Sequence, residues 1–302
     1  MEVNGKPKVV QLSSVHSSFD TRIYHKICKS LVRNGYKVDL IIQDQEDEVR
    51  DGINIVALPI ANKKSDRIFK IIPRLFKKSI HYPYGTIFHF HDPELIPLGF
   101  VLKLFGYKVI YDVHEDVPEA IKSKKWIPKL IRRIIPSFVK IIEGLAKKSF
   151  DGIIVVTHAI ENRLASDQTY LIQNFPILHS IETVESSKNW KEKNSVFYLG
   201  DITLIRGLKE DIKAIELANQ KEDIHFILAG KFLPKELEHE LKTERGWNYV
   251  DFVGWIDRKK FNEYTSQSFS GLVTFHPEPN HIDAQPNKLF EYMHAGLPVI
   301  AS

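Results

Sequence analysis

An α/β chain of two domains, each a parallel sheet covered by helices on both faces, is the fold class that the sequence predicts. Three observations carry it. Short β-branched runs alternate with amphipathic stretches along nearly the whole chain, as βα units do. The length of 302 residues exceeds one average domain and suits two of about 150. The alternation breaks once, at a polar stretch without clear period, IQNFPILHSIETVESSKNWKEKNS. The expected organisation is therefore two Rossmann-like domains facing a cleft, 1–175 and 195–302, joined by a linker at 176–194.

The elements follow in order. KVVQLSS reads as a strand, and the polar loop VHSSFD leads into TRIYHKICKSLVRN. There Ile23, Ile27 and Leu31 share one helix face, Asp20 suits the N-cap and Gly35 the stop. The strand YKVDLII follows, then the strand TIFHFHD, the helix PELIPLGFVLKLFG, and the strands YKVIYDV and GIIVVT. Gly-Tyr-Lys-Val recurs at both helix-to-strand joints, at Gly35 and Gly106, as shared turn chemistry rather than a repeat. The second half gives strands SVFYLG, IHFILAG, YVDFVG, GLVTFHP and PVIAS. Its helices are RGLKEDIKAIELAN, LPKELEHELKTERG, RKKFNEYTSQ and NKLFEYMHAG. A doubly wound domain rarely finishes on an apolar strand such as PVIAS, which would leave a bare edge. The C-terminal domain is accordingly expected to be incomplete.

Composition narrows the function. Apolar residues make 43% and charged residues 26%, which excludes disordered, collagen-like and disulfide-framework chains. No apolar run reaches a membrane span, no secretory leader is evident, and a single cysteine, Cys28, suits a reducing cytoplasm. Net charge is only +4, so its distribution matters more than its sum. Two basic amphipathic segments stand out: 63–78 with seven Lys/Arg and 122–148 with nine. They suit an anionic membrane surface; the competing reading is a core-facing stripe with a solvated lysine face. Nucleic acid is not expected, because the segments carry isoleucine rather than stacking aromatics.

The richest segment is HIDAQPNKLFEYMHAGLPVIA (281–301). Pro286 fits the first helical position and Gly296 the stop. Asn287 and Lys288 then lie at a helix N-terminus, where free N–H groups and the dipole favour an anion such as a diphosphate. Glu291 lies among Leu289, Phe290, Tyr292 and Met293, and a carboxylate buried there needs donors, which a ribose diol supplies. On its own the segment reads better as an amphipathic helix with Glu291 in solvent.

This segment resembles the donor-site signature of retaining family 4 glycosyltransferases of the GT-B fold: an acid, seven residues, a glutamate, then AGLPVIAS. The bacterial surface or capsular polysaccharide enzymes are the type it is most similar to. SSVHSSFDTRIYHK, HFHDPELIP, VIYDVHEDVP, IQNFP and LGDITLIRGLKE resemble further family segments in order, so the likeness covers nearly the whole chain. It implies a glycosyl transfer from a nucleotide-diphosphate sugar to an acceptor hydroxyl with retention. Glu291 is then the ribose ligand, and Asp283 sits by the donor sugar in place of the usual glutamate. Gly200, Arg206, Gly207, Asn287 and Lys288 hold the diphosphate, and His114 approaches the sugar. His16 and Asp20 lie on the acceptor side. The family's second phosphate cation is replaced by Asp201, so one phosphate clamp is missing or is supplied elsewhere, by Lys209 or Lys288. No metal or other cofactor is implied. His89, His91 and Asp92 lack an evident third and fourth ligand. The competing functions are a non-catalytic fragment or partner subunit of a glycosyltransferase and, further off, a sugar-nucleotide epimerase. The implied location is the cytoplasm, at the inner face of the membrane, with a sugar or lipid-linked acceptor.

Overall fold

The computed structural model describes residues 6–123, 127–177, 181, 193–279 and 281–302. The chain divides into two compact units, Met1–Asn174 and Phe175–Ser302. Most of the expected linker lies outside the described residues. Ile181 is described, and it packs into the core of the second unit.

The first unit holds eight strands: β1 (Val9–Leu12), β2 (Val38–Gln43), β3 (Glu48–Arg50), β4 (Ile53–Leu58), β5 (Ile87–Phe90), β6 (Lys108–Val113), β7 (Gly152–Val155) and β8 (Thr169–Leu171). Their order is β3-β4-β2-β1-β5-β6-β7-β8, parallel throughout except for the antiparallel pair β3–β4. β1 and β2 are buried on both faces. That explains why they read as continuous apolar runs rather than alternating ones. β3, β4 and β8 were not anticipated from the sequence. Asp51 and Gly52 turn the β3–β4 hairpin with φ of 54° and 77°, the turn in which both central residues are left-handed.

The second unit holds β9 (Ser195–Leu199), β10 (His225–Ala229), β11 (Val250–Gly254), β12 (Ser268–Val273) and β13 (Val299–Ala301), all parallel, in the order β11-β10-β9-β12-β13. All five strands were expected. Pro286 differs by one position: it caps the helix Asn287–His294 rather than opening it. Phe197, Phe261 and Tyr292 fill the core on one face of this sheet. Burying each such ring contributes roughly 1.5–3 kcal/mol.

Both topologies place a crevice. The first unit's chain winds outward from β1 through β2 and β4, then restarts at β5 beside β1. The second winds from β9 through β10 to β11, then restarts at β12 beside β9. In open parallel sheets the ligand crevice opens outside the carboxyl ends of the strands at such a switch point. The residues that follow β1, β5 and β6, and those that follow β9 and β12, are therefore the places to look.

Candidate functional site

In the first unit these residues form a polar network around Asp112. Asp112 lies on β6 two residues before His114, so the two side chains share one face of the strand. The Asp112 carboxylate is fully buried and accepts from Arg22 at 2.9 and 2.7 Å, a fork-to-fork pair. It also contacts His114 Nε2 at 2.9 Å. Burial works against this charge, but the hydrogen bonds from His114 and Arg22 hold the Asp112 carboxyl well below the usual carboxylate range. Desolvation pushes His91 and, further, His89 below the usual imidazole range. With His91 neutral, the network assigns its protons. His91 Nε2 donates to Gln11 Oε1 at 2.7 Å, and Gln11 Nε2 donates to His89 Nδ1 at 3.1 Å. His114 Nε2–H is then shared between Asp112 and His91 Nδ1, the latter at 3.1 Å.

His16 stands beside this network, its ring centroid 5.3 Å from that of His114. It bridges Asp20 and Asp92, each at 3.4 Å. Burial opposes its charge, yet the two carboxylates outweigh burial and push its pKa up to about 10. His16 is thus a standing imidazolium. Asp20 serves two purposes at once: its other oxygen accepts from the N–H groups of Arg22 and Ile23 and caps the helix that follows. Asp92 is pinned by Ser13 Oγ at 2.9 Å and the Ser14 N–H at 2.6 Å.

Three metal-type groups, His89, His91 and Asp112, have atoms within 4.8 Å of one another. They do not suit a cation. The Arg22 guanidinium already holds the carboxylate, and both His91 nitrogens are engaged with Asp112, His114 and Gln11. Asp92, grouped with the histidines in the sequence, turns instead to the two serines.

In the second unit the crevice is lined by cations. Gly200 follows β9, and the short turn Leu204–Arg206 leads to Gly207. Gly207 has φ of 75°, and a Cβ there would stand 1.9 Å from the Thr274 carbonyl oxygen, so the loop locks onto the end of β12 only with glycine. A Cβ at Gly200 would lie 3.1 Å from Lys288 Nζ and 3.2 Å from Arg206 Nη1. Two cations thus converge over one backbone position. Arg206 is steadied by the Asp201 carbonyl at 3.2 Å and its carboxylate at 3.6 Å. Lys288 is only 8% exposed; its Nζ has no hydrogen-bond partner and rests 3.5 Å from the Tyr198 ring centroid. Burial, reinforced by the neighbouring Arg206, pushes its pKa well below the usual lysine range. Lys209 is unsuited to the same task, being paired to Glu240 and Glu244.

One helical turn beyond Lys288, Glu291 is buried and accepts from Arg258 Nη2 at 2.9 Å. Asp283 is exposed in the turn before the helix. Asp211, buried and hydrogen-bonded by Thr274 Oγ1 at 2.8 Å, has its carboxyl pushed up to about 7 by burial. Eight buried side-chain polar atoms lack a partner among the described residues; four belong here, on Thr203, Arg258, Asn287 and Lys288. Each such atom costs roughly 1–3 kcal/mol while it stays unpaired.

The family model described as Glycosyltransferase Family 4 matches residues 21–174, half of the chain, and Glycosyl transferases group 1 matches 193–302. The chain belongs to glycosyltransferase family 4. Its reaction is glycosyl transfer. Among solved structures it is similar to a sucrose-phosphate synthase from Thermosynechococcus elongatus, at 19% identity and a TM-score of 0.74 over 98% of this chain and 81% of that one. HepE of Anabaena, in complex with UDP and glucose, gives 15%, 0.67, 98% and 80% in the same order. WaaG, a glycosyltransferase involved in lipopolysaccharide biosynthesis, gives 15%, 0.66, 97% and 80%. These likenesses show the shared GT-B fold. No curated protein sequence matches significantly.

The structure thus brings Gly200, Arg206 and Lys288 together beside Gly207, with Asn287 and Glu291 on the Lys288 helix and Asp283 at the turn before it. It brings His16 against Asp20 and His114 in the first unit. Sequence reasoning missed Asp112, Arg22, Asp92 and Arg258 as members. The Asp-Val-His spacing on a strand was the signal available for Asp112.

Proposed function

We propose that the chain transfers a sugar from a nucleoside-diphosphate sugar to an acceptor hydroxyl with retention, in polysaccharide or glycolipid assembly at an anionic membrane surface. The observation that carries the donor is the convergence of buried, unpartnered Lys288 with Arg206 over Gly200, one turn from Glu291. The two cations and the helix N-terminus at Asn287 stabilise the diphosphate as it leaves, the task a metal performs elsewhere. No metal enters this scheme. Glu291 receives the ribose hydroxyls, and Asp283 lies toward the sugar. His114 approaches the donor sugar, while His16 and Asp20 face the acceptor. A phosphate oxygen of the leaving group accepts the acceptor's proton. That two similar proteins were solved with UDP and glucose or with UDP-2-fluoro glucose supports a nucleotide-sugar donor.

The membrane reading rests on the helix Lys129–Ser149. Its Leu130, Ile134, Phe138, Ile141 and Leu145 form one stripe at helical spacing, and all are exposed. A core-facing stripe would be covered; an exposed one beside six Lys/Arg is the amphipathic pattern of an interfacial helix. Segment 63–78 divides differently. Ile71 and Leu75 are in the core, whereas Ile68 and Phe69 are exposed. Beside them Arg74, Lys77, Lys78 and His81 line a cavity of about 360 Å³ with Leu58 and Pro59, suited to an anionic headgroup. No described helix is long and apolar enough to cross a membrane.

Two experiments test this. Purified protein is supplied with UDP-, GDP-, dTDP- and ADP-sugars, and nucleotide release is followed with the anomeric configuration of the product. Cleavage of one donor with retention, lost in Arg206→Ala, is expected; cleavage of none, or inversion, overturns the reading. Sedimentation with anionic vesicles at low salt is expected to be lost in Ile134→Asp/Phe138→Asp. Absence of wild-type binding refutes the membrane part.

A further inference from the structure

We infer that Arg258 is the positioning residue for ribose recognition: its guanidinium fixes the Glu291 carboxylate so that one oxygen is presented to the sugar hydroxyls of a bound nucleotide. The inference rests on the donor-site reading above and adds a residue that neither the sequence pattern nor the family resemblance supplies.

Arg258 is the first residue of the helix Arg258–Gln267, which starts four positions beyond the last residue of β11, Gly254. Asp257 caps that helix by accepting the Lys260 N–H at 2.9 Å, which fixes where Arg258 leaves the backbone. One turn on, the Phe261 ring lies 5.0 Å from the guanidinium carbon and supports its plane. The side chain crosses to the other helix and makes one bond, Nη2 to Glu291 Oε1 at 2.9 Å. An arginine–carboxylate pair is commonly a two-bond fork. Here only one arm is used, and the other nitrogen, Nη1, is buried without a partner. The second Glu291 oxygen is therefore not committed to the guanidinium. A carboxylate with one oxygen clamped and one open can receive a hydroxyl in a defined direction. The idle Nη1–H is a donor of the kind that a sugar hydroxyl, which both donates and accepts, also satisfies. Glu291 itself is 9% exposed, so without Arg258 its buried charge would lose the ion pair that holds it and its orientation would be unset.

The test compares binding of UDP, GDP, ADP and dTDP with binding of their 2′,3′-dideoxy forms, by calorimetry. Wild type, Arg258→Ala, Arg258→Lys and Glu291→Ala are measured side by side. Wild type is expected to prefer the hydroxyl-bearing form of its nucleotide by roughly 10–150-fold, the loss that follows from deleting a hydrogen bond to a charged group. In Arg258→Ala this ratio collapses toward that of Glu291→Ala, while the diphosphate still confers measurable affinity. Arg258→Lys, which keeps the charge and loses the fork, restores part of the ratio and covers the case in which the alanine variant does not fold. A merely structural arginine would weaken both nucleotide forms alike and leave the ratio intact, which overturns the inference. Tighter binding of the hydroxyl-bearing form to Arg258→Ala also overturns it, since Arg258 would then be obstructing the ribose. Wild-type protein that binds none of the four nucleotides refutes the donor-site reading, and this inference falls with it.

Discussion

Replacing Lys288 by methionine separates the cost of a buried cation from its use. Methionine keeps the unbranched stem over Tyr198 and removes the charge. In the free protein Lys288 Nζ has no hydrogen bond, and when it is protonated its nearest compensation is the Tyr198 ring at 3.5 Å. Such a cation–π contact contributes about 2 kcal/mol when desolvated, against a burial penalty of several kcal/mol per ion. The variant is therefore expected to be more stable than wild type. The sign with pH follows from the depressed pKa of Lys288. Between that depressed value and the unfolded value of 10.5 the unfolded chain holds more protons, so wild-type stability rises with pH across that window relative to the variant. Ligand binding runs the other way. A diphosphate supplies the missing partner, raises the lysine pKa and draws in a proton. Losing one charge-assisted hydrogen bond costs about 1.5–3 kcal/mol, or roughly 10–150-fold in Kd. Calorimetry in buffers of differing ionisation enthalpy reads both the weakening and the proton uptake. Thermal unfolding reads the stability. A variant that is less stable and binds the nucleotide as tightly as wild type, with unchanged proton uptake, refutes the reasoning.

Other expectations are narrower. Arg22→Ala strands the buried Asp112 charge and is expected to destabilise the first unit by about 3–5 kcal/mol, read by denaturant unfolding; a loss under 1 kcal/mol would mean the network is not closed as described. His16 has its pKa raised to about 10, so its stabilising charge is fully present below pH 6.5 and is lost as pH rises through that folded value. The stability difference between wild type and His16→Gln is expected to shrink across that interval, and a difference independent of pH contradicts the Asp20–His16–Asp92 bridge. Gly207→Ala forces a left-handed alanine, at about 1–2 kcal/mol, against the Thr274 carbonyl; nucleotide binding and second-unit stability are expected to fall together, and retention of both would show that the loop is free to move.

Much of this architecture was legible in the sequence because βα alternation is a local property. The five strands of the second sheet each stand out as apolar runs between helical patterns. β4 and β3 escaped although Asp51-Gly52 is a strong hairpin signal, because β3 is a three-residue edge strand with little apolar content. The helix at Asn287–His294 was visible from its proline and glycine, and the positions of Asn287, Lys288 and Glu291 along it followed. What could not be read is where a flexible cation points. A lysine in the first turn of a helix ordinarily faces water, and only the closeness of Gly200 and Tyr198 shows Lys288 turned inward. The Arg258–Glu291 pair is invisible for a similar reason. It joins two helices 33 residues apart, with no periodicity linking them. Asp112 was within reach, since its two-residue spacing from His114 places both on one strand face, but the Arg22 that neutralises it comes from 90 residues away.

The most direct test of the donor site is titration of the purified chain with UDP, GDP, dTDP and ADP, with Glu291→Ala as the control. Saturable binding of one nucleotide, weakened at least about 10-fold by that substitution, is the predicted result. Binding by none of them to folded protein, or equal binding to the Glu291→Ala variant, would contradict the assignment of this crevice to a nucleotide-sugar donor.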